Sequence, residues 1–147
     1  MSTPAKSASP ADLALRRFVT AAEKIDFTSQ WAYEEWLCRA DIVPNQEILL
    51  VRANMPAGGS HPFHTHPTRE EIIYVLSGRA EQWCGRDHRL LAPGEMVLIP
   101  KGEVHATYNP HAEPLVFLAI LSPANAPGPA IVDVSTEAPW RSLRPTP

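Results

Sequence analysis

The sequence predicts an all-β fold, and three observations carry that prediction. Seven short segments rich in Val, Ile, Leu and Tyr recur about every 8 to 15 residues, each bounded by Gly, Pro or Asn. Proline, with 16 residues, falls between these segments rather than inside them: Pro56, Pro62, Pro67, Pro93, Pro100, Pro110, Pro114 and Pro123 mark turns, because proline cannot donate to a sheet ladder. No strand-then-helix alternation occurs, which argues against a doubly wound parallel sheet. An antiparallel sandwich or barrel is the expected architecture.

The elements follow in chain order. Residues 1–11 are small, polar and proline-containing, and are expected to form a disordered tail. Asp12 suits the N-cap of a short helical segment through Leu13, Arg16, Arg17, Val19 and Ala22, ending before Ile25. Trp31, Tyr33 and Trp36 in QWAYEEWLC are expected to act as a lid or a dimer contact. The strand segments are 47–55 (EILLVRANM), 71–78 (EIIYVLSG), 79–85 (RAEQWCG), 88–91 (HRLL), 95–100 (EMVLIP), 104–109 (VHATYN) and 114–121 (PLVFLAIL). From Ala124 the chain reads as an extended arm, docked through AIVDV and Trp140. The domain reading is therefore a tail (1–11), one barrel domain with an N-terminal extension (12–123), and an arm (124–147) packing on the barrel or on a partner subunit.

Length and charge bound the function. The 147 residues are about one domain. A net charge of −3 gives no long-range attraction for nucleic acid or anionic lipid. The two cysteines, Cys38 and Cys84, are widely separated, so a disulfide framework is not indicated and a reducing compartment is expected. MSTPAKSASPADLALRRF lacks an unbroken apolar run, so no secretory signal is expected, and no segment reaches transmembrane length. The expectation is a soluble cytoplasmic protein with a small-molecule substrate, and no nucleic-acid or membrane partner.

Chemistry concentrates in HPFHTHPTREEIIYVLSG, residues 61–78. His64 and His66, two apart, leave the same face of an extended chain. Glu71 shares a face with Ile73 and Val75, opposite Ile72, Tyr74 and Leu76. His105 lies far downstream with Thr107 and Asn109 on its face. Three imidazoles and a carboxylate suit a divalent transition metal (Fe, Mn, Ni, Cu, Co or Zn) and are too nitrogen-rich for Ca or Mg. His61, His88 and His111 are expected to be solvated. By the same parity, Ala80, Gln82 and Cys84 face inward while Glu81 and Trp83 face out.

These residues resemble the cupin superfamily. Gly58, His64, His66, Glu71 and Gly78 satisfy its first motif, G(X)5HXH(X)3,4E(X)6G, and Gly94, Pro100, Gly102, His105 and Asn109 satisfy its second, G(X)5PXG(X)2H(X)3N. Residues 79–93 separate the two, a spacing similar to that of small single-domain cupins of the cupin_2 type. The resemblance implies a double-stranded β-helix, the jelly-roll cupin barrel, holding one divalent transition metal per chain through His64, His66, Glu71 and His105. Motif spacing selects Glu71 over Glu70 as ligand, and the enzymatic reading that the resemblance implies gives Glu71 a catalytic role, shuttling a proton while ligating. Asn109 reads as a turn or supporting residue. Gln82, Arg52 and Thr107 are candidates for the substrate pocket. Outward Tyr74, Leu76 and Trp83 form an apolar patch compatible with a homodimer.

Such a centre supports an oxidoreductase of the small-cupin dioxygenase type acting on a chelating enol, diketone, diol or flavonol-like molecule. A non-redox isomerase or lyase is the alternative, against which stands the lack of an inward Tyr or Lys on the core strands. A non-enzymatic metal- or small-molecule-binding module is the third reading. The fold alone does not choose among them.

Overall fold

The computed structural model describes residue 9, residues 16–45 and residues 47–144. The strands are β1 (Ile25–Thr28), β2 (Tyr33–Cys38), β3 (Leu49–Met55), β4 (Ser60–Thr65), β5 (Glu70–Ser77), β6 (Ala80–Cys84), β7 (Asp87–Leu91), β8 (Met96–Ile99), β9 (His105–Tyr108), β10 (Leu115–Ser122) and β11 (Val132–Asp133). One turn of helix, α1 (Trp140–Leu143), is the only helix among the described residues. Six strands form one sheet in the order β1-β2-β3-β10-β5-β8, and five form the other in the order β11-β4-β9-β6-β7. Every pairing is antiparallel. The fold is a double-stranded β-helix.

The core lies between the sheets and follows from side-chain alternation. In β10, Leu115, Phe117, Ala119 and Leu121 are buried while Val116, Leu118 and Ile120 are only partly covered. Phe117 registers with Ala53 on β3 and Val75 on β5, so small neighbours leave room for its ring. Burial of such a side chain is worth about 1.5–3 kcal/mol. At the β5–β6 turn Gly78 has φ +75°, and a Cβ there would lie 2.3 Å from the Pro114 carbonyl oxygen. Only glycine meets both conditions.

The seven expected strands correspond to β3 and β5 through β10. Four others were not expected. β4 carries the histidines and Pro62, so it lacks an apolar alternation; its register with β9 breaks between His61 and His64, around the residue that has no N–H. β1 and β2 extend the six-stranded sheet at its edge. β11 comes from the arm and adds to β4. The helical segment expected from Asp12 lies outside the described residues as far as 15; from Arg16 the chain has no regular structure and then turns at 21–24, with Glu23 N donating to Thr20 O. The expected tail, Ser9 apart, lies outside the described residues.

The arm also corrects the outward patch. Tyr74 and Leu76 are exposed, but Trp83, although outward from its sheet, is 7% exposed. It packs with Phe63, Ala106, Tyr108 and Val134 beneath Trp140 and Leu143 of the arm. Arg144 closes this contact, donating to Glu81 and lying 3.9 Å from the Tyr108 ring centroid. No helix among the described residues is long and apolar enough to cross a membrane.

Candidate metal centre

β4 and β9 pair so that His64 stands opposite His105. His66 follows β4 directly, and its carbonyl accepts from Gly102 N at 3.0 Å. With φ +77°, Gly102 turns the chain from the β5-facing side back toward His105. Glu71 begins the inward face of β5 and is 6% exposed, whereas Glu70 is exposed. The result is one ligand atom each from His64, His66, Glu71 and His105, all within 4.8 Å of one another.

The hydrogen bonds behind the rings decide which nitrogen faces inward. His64 Nδ1 donates to Pro62 O (2.6 Å), His66 Nδ1 to Ala130 O (2.7 Å) and His105 Nδ1 to Glu103 O (3.0 Å). A carbonyl can only accept, so each Nδ1 carries the proton and each neutral ring turns the lone pair of Nε2 toward the centre. His105 Nε2 lies 2.9 Å and His66 Nε2 3.1 Å from Glu71 Oε2. Both His105 Nε2 and Glu71 Oε2 are buried without a hydrogen-bond partner. Lone pairs converging on a buried carboxylate call for a cation, and this donor set fits a single divalent metal ion.

The electrostatics agree. Burial pushes His64 far below the ordinary imidazole range. For Glu71, burial would raise the carboxyl, but the imidazoles of His105 and His66 beside it more than reverse it and hold it well below the usual range. Burial lowers His66, yet the Glu71 carboxylate raises it further, to a net rise.

A cavity of about 260 Å³ opens beside the ligands. Val51, Ile73, Phe117, Ala119 and Leu121 supply its apolar wall, and Thr107 lines it. Gln82 is buried but does not line it; Gln82 Oε1 accepts from Thr107 Oγ1 at 2.7 Å and so stands behind the wall. Arg52 is a correction: it is exposed on the outer face of β3, 3.4 Å from Glu35, because inward positions there are odd-numbered. Asn109 organises turns, donating to Pro56 O and Glu113 O.

His61 is a second correction. Its ring stacks between Trp31 (4.2 Å) and His64 (3.7 Å) and lines the cavity, and burial holds it down to about 4. His88 is exposed and stacks on Trp83, while His111 is half-buried with Nε2 enclosed. Trp31 and Trp36, expected with Tyr33 as a lid or a dimer contact, line the cavity, whereas Tyr33 is exposed; sequence reasoning missed Glu34 and, in the arm, Ala130 and Ile131. Alternation along β2 carried part of the signal, since Ala32, Glu34 and Trp36 share one parity.

A double-stranded β-helix with a His/His/Glu/His divalent-metal site is the class that fold and site define. Residues 51–121 match the Cupin domain model, so the barrel of this chain is a cupin domain. It is 50% identical over 54 residues to dimethylsulfoniopropionate lyase DddQ of Ruegeria pomeroyi, which is 36% of this chain and 26% of that protein. The crystal structure of that lyase superposes with a TM-score of 0.64 at 27% identity, covering 80% of this chain and 64% of the other. Germin-like protein 4-1 of Oryza sativa subsp. japonica is 32% identical over 98 residues, 60% of this chain and 37% of that protein. The polyketide cyclase RemF of Streptomyces resistomycificus shares the fold, with a TM-score of 0.69 at 22% identity over 88% of this chain and 99% of the other. The chain thus spans well under half the length of these two curated relatives.

Proposed function

We propose that this cupin is a metal-dependent enzyme of the non-redox kind, a lyase or isomerase acting on a small anion that chelates the metal. The observation that carries the proposal is the buried three-imidazole, one-carboxylate centre opening on an apolar cavity. The local 50% identity to a lyase supports the reaction class. A divalent ion held by His64, His66, Glu71 and His105 would supply Lewis-acid polarisation of a substrate oxygen.

The chain's own residues do the rest. Carbonyls of Pro62, Ala130 and Glu103 fix the three tautomers before any ligand arrives. Val51, Ile73, Phe117 and Leu121 exclude water, which strengthens every polar contact inside. Glu71 has a carboxylate at the centre and is our candidate for holding a proton there. Arg69 lines the cavity with its Nε and Nη2 donating to Pro123 O and Ala124 O, and places a positive charge where an anion would enter.

An oxidoreductase using dioxygen is the second reading, supported by a donor set that suits iron, manganese, nickel, cobalt and copper. Turnover of chelating carboxylates and diketones by protein loaded with zinc, under anaerobic conditions, tests the choice. Product without oxygen supports the lyase or isomerase reading; turnover only with a redox metal and measured oxygen uptake overturns it.

A further inference from the structure

We infer that the cavity is built for a substrate whose far end is a bulky organic cation, an onium or alkylammonium group, received by Glu34. This deepens the reading above and rests on it, since the anionic end is taken to sit on the metal. Glu34 lies on β2 opposite Ala53, whose small side chain lets the carboxylate reach inward. It is 7% exposed and lines the same cavity as the metal ligands. Its Oε2 accepts from Trp36 Nε1 at 2.9 Å. Among the described residues it takes no other hydrogen bond and forms no ion pair. The guanidinium nearest along the chain makes its hydrogen bonds elsewhere: Arg39 forks onto Asp41 at 2.7 and 2.9 Å while lying over the Trp36 ring, and it reaches Glu34 only as a nearby charge, without an ion pair.

A buried carboxylate without a cation in direct contact is costly, and a partner brought by the ligand lowers that cost. The surroundings select the kind of cation. Trp31 and Trp36 share the cavity wall with Glu34; Leu49, Val51, Phe117, Ala119 and Leu121 are among its apolar residues, while His61, Arg69 and Thr107 line it alongside the metal ligands. Indole rings and apolar side chains add few oxygen donors beside the Glu34 carboxylate for a second metal ion or a strongly hydrated ammonium. They suit a weakly hydrated cation with methyl groups on its surface. Trp31, Glu34 and Trp36 precede the stretch matched by the Cupin domain model, 51–121.

The test compares matched ligands on cobalt-loaded protein: glycine betaine against tert-butylacetate, its uncharged carbon isostere, and β-alanine betaine against the corresponding isostere. Affinities are read from the cobalt absorption spectrum and from tryptophan fluorescence. In one pair or both, the betaine is expected to bind about tenfold more tightly. Glu34→Gln, which keeps the shape and can still accept from Trp36, is expected to erase that preference while leaving metal content and isostere affinity unchanged. Equal binding of betaine and isostere by the wild-type protein overturns the inference without recourse to any variant, as does a preference that survives Glu34→Gln. If neither anion of any pair perturbs the cobalt spectrum, the chelating-anion reading itself fails and this inference with it.

Discussion

The carbonyl of Ala130 accepts the Nδ1 proton of His66 at 2.7 Å across 64 residues of sequence. A residue of the C-terminal arm thereby sets the tautomer of a candidate metal ligand, and its neighbour Ile131 lines the cavity. Arm and centre are one unit.

Removing the arm therefore reaches the metal. A chain ending at Ala124 is expected to bind zinc about 10- to 100-fold more weakly than the full chain, the usual cost of losing a ligand's supporting hydrogen bond. Competition with a chromophoric chelator measures it. Undiminished affinity would mean that β4 alone orients His66.

The ligand assignment predicts loss of metal without loss of fold. His64→Ala or His105→Ala, made in cells supplied with transition metals, is expected to carry far less than one metal per chain by elemental analysis while retaining a β-type circular dichroism spectrum. A double variant that binds metal as well as the wild type would sink the assignment.

The buried histidines make the metal-free protein sensitive to acid. Burial holds His61 down to about 4, and His64 is depressed further. Between about 6.5 and 4 the unfolded chain takes up protons that the folded chain refuses, so stability is lost as pH falls through this window. His66 is shifted upward and works in the opposite sense, losing its contribution as pH rises. Two depressed groups against one raised group leave a net loss on acidification. His61→Asn should flatten the slope by up to about 1.4 kcal/mol per pH unit. Urea unfolding at stepped pH gives the slope, and an unchanged one contradicts the burial argument.

The turn at Gly78 predicts a large effect from one methyl group. With φ +75° and the Pro114 carbonyl 2.3 Å from the position of a Cβ, Gly78→Ala is expected to cost about 3 kcal/mol or more in urea unfolding. A cost below about 1 kcal/mol would show that the β5–β6 turn relaxes freely.

Much of the barrel was legible because its strands advertise themselves locally. The alternation of Leu115, Phe117, Ala119 and Leu121, or of Glu71, Ile73 and Val75, is a property of neighbouring residues. The metal cluster was legible for a related reason: His64 and His66 are two apart, Glu71 starts the next strand, and the turn through Gly102 returns His105. Arg52 was misplaced because only the paired sheet shows that the even-numbered face of β3 points outward. β4 was not legible as a strand because proline and histidine replace its apolar positions.

The sequence by itself determined the all-β class, the strand periods and the residue types able to hold a cation, since each is written in spacing along the chain. Only the tertiary structure decided that Glu34 and Trp36 face the same cavity as His64, that Trp31 stacks on His61, and that Ala130 supports His66. Those contacts depend on which strands pair and where the arm docks. Pairing is chosen by the burial of whole sheet faces at once, which no local run of residues records.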